Sequence, residues 1–275
     1  MKILGLLLNI LLLSNVSAQV YNNQNHPSKI LEAFRLEENV RVDGRLTENV
    51  WQNEGVSDFT QRDPIEGNEP TQKTVVWVGF DDEAIYIAAK LYDSAPDSIV
   101  SRLARRDESV SSDQFEFQVD PWLDHRTGFF FRVAVSGAIR DGILFNDDSD
   151  DVSWDGVWES ATTIENDGWN VEMRIPFSQL RFPEKEVHTW GVNFIRRIER
   201  ANERIEYVMI PKESSGNTSW FAHMNGIKNI KQPKHIEILP FNASRAELIQ
   251  NESGDPFNDG SELFNKIGVD IKVGL

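Results

Sequence analysis

The chain has no cysteine among its 275 residues. That excludes disulfides, thiol nucleophiles and a lipid-modified cysteine, so the fold must be held by core burial. Histidine is scarce: His26, His125, His188, His223 and His235 stand singly, and no pair has the spacing of a metal-binding helix. Phosphate-binding loops, dinucleotide fingerprints and the G-x-S-x-G elbow are missing too. Positive charge is short, with 28 Lys and Arg against 44 Asp and Glu and a formal net charge of −16. This balance opposes nucleic acid and anionic lipid as partners, while divalent cations and neutral polar ligands stay compatible with it.

Long apolar runs are also lacking after the first residues. Ile3 to Leu13 is interrupted only by Asn9 and is preceded by Lys2. Such a run is too short for a bilayer crossing, which takes about 20 residues. Val16-Ser17-Ala18 offers small residues where signal peptidase cuts, so residues 1–18 read as a signal peptide and the chain as exported. Residues 19–29, with Asn22, Asn23, Gln24 and Asn25 together, read as a disordered leader.

From Ile30 onward the pattern is strand-like. Thr74 to Phe80 is β-branched and aromatic on both faces, and Ala84 to Leu91 returns after the turn Asp81-Asp82-Glu83, which predicts a hairpin. In Asp113 to Asp120, Phe115, Phe117 and Val119 face one way, while Glu116, Gln118 and Asp120 face the other. Thr127 to Val135, Trp169 to Ile175, Thr189 to Arg197, Glu206 to Ile210 and His235 to Phe241 are further strands. Gly137 to Asp141 reads as a turn, and Phe177 to Leu180 as one helical turn after Pro176. No stretch carries sustained helical periodicity. The expected class is all-β: an antiparallel, jelly-roll-like β-sandwich with short helical turns over residues 30–240.

Residues 241–265 are rich in Asn, Asp, Ser and Gly and read as a linker. Ile267, Val269, Ile271, Val273 and Leu275 then alternate with Gly, Asp and Lys. This predicts that residues 266–275 open a further domain cut off by the end of the sequence, the alternation being that of a membrane β-barrel strand; a lone edge strand of the sandwich is the other reading.

Candidate chemistry is of two kinds. Asp120 with Asp124, and Asp147 with Asp148 in an acidic run, are candidate ligands for Ca²⁺, which takes oxygen donors. A solvated acidic turn is the plain alternative. The second kind is aromatic. Eight tryptophans are present, and Trp122, Trp154, Trp158 and Trp220 lie in polar, turn-like sequence. An exposed indole stacks on a sugar ring while neighbouring Asp, Asn and Arg bond its hydroxyls. Trp220, Trp154, Trp158, Arg106, Asp113 and Asn193 are the candidate sugar-binding residues. No catalytic residue is assigned, since Asp113 and Glu116 fall on opposite faces of one strand.

Six motifs occur in order between Arg41 and Ile230. They are Val42-Asp43-Gly44-Arg45-Leu46-Thr47-Glu48-Asn49-Val50-Trp51, the hairpin Val76 to Tyr86, Leu91-Tyr92-Asp93, Asp113-Gln114-Phe115-Glu116-Phe117, Gly168 to Pro176, and Trp190-Gly191-Val192-Asn193-Phe194. Together they resemble the family 9 carbohydrate-binding modules. The resemblance implies an antiparallel sandwich that binds oligo- or polysaccharides, often with calcium, and serves carbohydrate catabolism. It also implies two clamp tryptophans. This chain has Val110 where one would stand and Trp220, ahead of Gly226, for the other. Arg106-Asp107, Asp124 to Gly128 and Pro176 to Phe182 further resemble Bacteroidetes-type surface proteins in which such a module precedes an outer-membrane barrel. That resemblance implies a periplasmic, outer-membrane or cell-surface address and the chain's own barrel as a partner. Alternatives are a docking domain that binds no sugar and an accessory domain of a glycoside hydrolase.

Overall fold

The computed structural model describes residues 29–232, 236–248 and 261–273. The expected signal peptide, and the leader up to residue 28, lie outside the described residues. Sixteen strands occur among the described residues, in chain order. The first eight are β1 (Ile30–Glu32), β2 (Phe34–Arg35), β3 (Thr60–Asp63), β4 (Thr74–Phe80), β5 (Ala84–Tyr92), β6 (Gln114–Asp120), β7 (Gly128–Ala134) and β8 (Ile139–Phe145). The rest are β9 (Ser149–Asp151), β10 (Glu159–Glu165), β11 (Gly168–Pro176), β12 (Trp190–Ile198), β13 (Glu203–Glu206), β14 (Ala222–Asn225), β15 (Ile236–Leu248) and β16 (Ser261–Val273). The described helical segments are single turns such as Phe177–Gln179, so the all-β expectation is met.

Two sheets pack face to face. The larger runs β1-β14-β12-β6-β7-β8-β9, with β13 paired to the second half of β12 and β3 paired to β13. The smaller runs β10-β11-β5-β4-β2. Period-two alternation fills the space between them. Phe115 and Phe117 of β6 stack on Phe194 of β12, at ring separations of 6.2 and 5.6 Å. Ile85, Ile87, Val171 and Met173 close the layer from the opposite sheet, all fully buried. Each such side chain contributes roughly 1.5–3 kcal/mol by leaving water. Arg196 lies in the same layer and ties the sheets together. It donates to the carbonyls of Lys73 and Tyr92 and to Thr74 Oγ1, at 2.7–3.1 Å, and burial lowers its pKa to about 10.

The outer face of the smaller sheet is covered by the chain's own strap, in which Leu36, Val40, Leu46 and Trp51 pack on Tyr86 and Ala88. Glu172 of β11 is the polar anchor beneath it. Its Oε2 accepts the N–H groups of Asp43 and Gly44 at 3.0 and 2.8 Å, and its Oε1 accepts Trp51 Nε1–H at 3.1 Å. Gly44 has φ +79°, and a Cβ there would lie 2.7 Å from Thr163 Oγ1. Asp-Gly at the start of the strap and Trp at its end are therefore required by one carboxylate on another strand.

Several sequence expectations need correcting. Gly137 to Asp141 holds only a tight turn, because β8 starts at Ile139 and pairs with β7. The strand expected at Glu206 to Ile210 ends at Glu206. Strands β9, β10 and β14 are short or polar and carry little apolar alternation. The expected linker 241–265 is also wrong in part: residues 241–248 continue β15, and β16 begins at Ser261, so neither residue 241 nor residue 266 is a boundary. Asn242, Ala243 and Ser244 look like loop residues, but each is paired across the hairpin, with Ile267, Lys266 and Asn265.

Candidate binding groove

The outer face of the larger sheet carries a groove, although Glu116, Gln118, Asn193 and Ile195 on it are buried. Strand register sets one row of side chains across it: Glu206 of β13, Ile195 of β12, Glu116 of β6, Arg132 of β7 and Arg140 of β8. Two residues along, Arg204, Arg197, Gln114 and Ala134 form a parallel row on the same face. Two residues the other way are Asn193, Gln118 and Phe130. The face is a groove with two adjoining hollows that share Glu116, Arg132, Arg140 and Arg204 in their walls. Their volumes are about 190 and 380 Å³, and small-molecule sites commonly fall at about 300–1,000 Å³.

The groove floor is a hydrogen-bonded pair. Gln118 Nε2 donates to Glu116 Oε1 at 2.6 Å, while Arg132 Nε pairs with Glu116 Oε2. This fixes the Gln118 amide and leaves its Oε1 buried without a partner. Gln118 is only 6% exposed. Arg140 donates to Ser109 Oγ at 2.8 Å, and its Nε is likewise buried and unpartnered. Both atoms are closed off from solvent, so leaving them unpaired costs free energy within the fold. Arg140 makes no ion pair with a carboxylate among the described residues.

The expected sugar-binding residues are not gathered here. Trp158 and Trp220 are buried, and Trp154 packs on Phe129 and Phe131 at 5.2 and 6.1 Å. Trp158 meets the edge of Phe131 at 5.3 Å. The indoles of Trp154 and Trp158 pack on the core. Trp122 is half exposed but lies outside the groove walls. Asp113 is fully buried and accepts Glu199 N–H at 3.1 Å; burial raises its pKa. Asn193 is fully buried and bonds both backbone groups of Val208, at 3.0 and 2.9 Å. Arg106 reaches Asp141 at 2.5 Å and Asp155 at 3.1 Å, away from the groove. Val110, in the place of the absent clamp tryptophan, does line the smaller hollow.

The expected calcium ligands do not form one set. Asp120 accepts the N–H groups of Leu123 and His125, both at 2.8 Å, and desolvation raises its pKa. Asp124 accepts those of Arg126 and Thr127. Asp147 accepts those of Asn217 and Ser219, and Asp148 lies on the groove rim. Loop N–H groups thus take the acceptors that calcium would need. Among the described residues one carboxylate triad is close enough to hold an ion, Asp107 with Asp141 and Asp155, and the Arg106 guanidinium already sits against all three. These residues do not fit a calcium cage.

Glu116, Gln118, Arg132, Arg140 and Arg204 are the groove residues that sequence reasoning passed over as site residues. The alternation of β6 does place Glu116 and Gln118 on the face opposite Phe115 and Phe117. What it lacks is the cross-strand register that brings the arginines beside them.

The fold is that of family 9 carbohydrate-binding modules. It is similar to a module from Caldicellulosiruptor kristjanssonii solved with cellotriose, at TM-score 0.53 and 18% identity over 73% of this chain and 95% of the other. The structure from the same organism solved with glucose aligns at 0.51 and 19% identity, over 74% and 100%. A protein of Bacteroides uniformis ATCC 8492 aligns at 0.51 and 14% identity, over 73% and 100%. No protein-family model and no curated protein matches the chain by sequence.

Proposed function

We propose that the chain is an exported sugar-binding module of carbohydrate catabolism whose binding face is the groove of the larger sheet. The observation that carries this reading is the groove itself, two adjoining hollows that share Glu116, Arg132, Arg140 and Arg204 in their walls. Sugar hydroxyls both donate and accept, so one saccharide can bond both the carboxylate and the guanidinium groups there. The solved modules of the same fold hold cellotriose and glucose, which supports the choice of ligand class. Binding in this groove is polar, because none of the expected tryptophans lines it. Isothermal titration of the purified chain against a panel of oligosaccharides tests it. At least one binds, and Gln118→Ala weakens it about tenfold, the value of one hydrogen bond to a buried group. Failure of every glycan in the panel contradicts the reading.

A second reading concerns β15 and β16, and one observation favours it. Both strands have 13 residues, which at about 3.3 Å each and a tilt near 45° reach across a bilayer core of roughly 30 Å. Ile238, Leu263, Ile267, Val269 and Ile271 share one face and are all more than half exposed. Arg245, Glu247, Glu262, Lys266 and Asp270 share the other, together with Leu239, Phe241 and Phe264. This partial segregation is similar to the lipid-out, polar-in pattern of an outer-membrane barrel hairpin, which would place the sandwich beside its own barrel at the outer membrane. The lack of cysteine makes the test clean: Ile271→Cys or Asp270→Cys carries a single polarity-sensitive dye on the chain reconstituted in lipid vesicles. The first shifts to the blue and the second does not. Equal, water-like spectra contradict the reading.

A further inference from the structure

The charge of the groove differs from that of the chain. The chain carries −16, yet the smaller hollow is walled by Arg132, Arg140, Arg197 and Arg204 against only Glu108 and Glu116. Register makes the arrangement more pointed. Arg132 lies directly opposite Arg140 across β7 and β8, and Arg197 directly opposite Arg204 across β12 and β13. Like charges facing each other across a strand pair are destabilising. The available carboxylates relieve this only in part. Glu116 pairs with Arg132, and Glu206, fully buried, takes Arg204 Nε at 2.5 Å. Arg197 reaches no nearer than 3.9 Å to Glu199, and Arg140 has no carboxylate at all among the described residues.

We propose that the groove selects an acidic saccharide, one bearing a uronate carboxylate, lodged between the Arg132–Arg140 pair and the Arg197–Arg204 pair. The inference rests on the sugar-binding reading of the same groove and narrows its ligand. A uronate supplies in one residue what the hollow lacks. Its planar carboxylate matches the forked guanidinium donors. Its ring hydroxyls can bond Ser109 and Gln114, which line the same hollow. Val110 in the same wall leaves the affinity to charge and hydrogen bonds rather than to stacking.

Titration calorimetry of the purified full chain with galacturonate oligosaccharides and with cellotriose, at low and at high salt, tests this. The acidic oligosaccharide binds about tenfold or more tightly than the neutral one at low salt, and salt erodes that margin. Arg140→Gln weakens uronate binding about tenfold. Arg41→Gln, at an exposed position on the strap side, leaves it unchanged. Cellotriose binding as tightly as the uronate, or a uronate affinity insensitive to Arg140→Gln, overturns the proposal while the sugar-binding reading survives. Binding of neither class overturns both.

Discussion

Two glutamates on outward faces of the two sheets make an informative contrast. Glu172 on the smaller sheet and Glu116 on the larger are both nearly inaccessible to water. Glu172 is closed over by the chain's own strap, and three N–H donors converge on it. Glu116 is met by two side chains, Gln118 and Arg132, and beyond them lies an open groove with atoms left unsatisfied. A buried polar group whose partners all come from the same chain stabilises the fold. One that lines a hollow beside charged side chains is where another molecule can bind.

The contrast should be sharpest in stability. Glu172→Ala leaves Asp43 N–H, Gly44 N–H and Trp51 Nε1–H without an acceptor. Its expected cost is about 3 kcal/mol in urea unfolding, with loss of the strap. Glu116→Ala should cost less, about 1–2 kcal/mol, since it strands only the Gln118 amide and Arg132 can turn to water, and by removing a negative charge from the groove it should tighten uronate binding. Equal costs at the two sites would erase the distinction.

The pH dependence of stability is of similar size. Burial pushes Glu172 up to about 7, even though its three N–H donors favour the ionised form. The folded chain then holds a proton that the unfolded chain releases above its ordinary value of 4.5. This contribution is therefore complete below about 4.5 and is lost as pH rises through about 7, by up to roughly 3 kcal/mol. The difference in unfolding free energy between wild type and Glu172→Gln, followed from pH 4 to 8, isolates it from the other carboxyl groups. A flat difference contradicts it.

The smallest effect carries the opposite sign. Arg140→Gln removes one member of an opposed arginine pair, so the unliganded variant should melt slightly higher, by a few tenths of a kcal/mol. It should also bind more weakly. A lower melting temperature would mean that Arg140 serves the fold rather than a ligand.

Much of the fold was legible because β6 and β11 alternate, β4 and β5 are apolar on both faces, and these strands with β12 carry the core. The resemblance motifs were legible for a reason the structure supplies: Asp43-Gly44, Trp51 and Glu172 meet at a single carboxylate. Strands β8, β9, β10 and β14 were not, since their polar residues take strand geometry only from their neighbours. The groove was half legible. Alternation turned Glu116 and Gln118 outward, but Arg132, Arg140, Arg197 and Arg204 come from other strands, and only pairing register brings them together. Tryptophan in polar sequence proved no guide to exposure: Trp158 and Trp220 are buried, while Trp122 is half exposed.

The most direct test is a crystal structure of the chain soaked with a galacturonate oligosaccharide. The account places the sugar against Arg132 and Arg140 on the outer face of the larger sheet. Sugar bound anywhere else, at Trp122 for example, would contradict it.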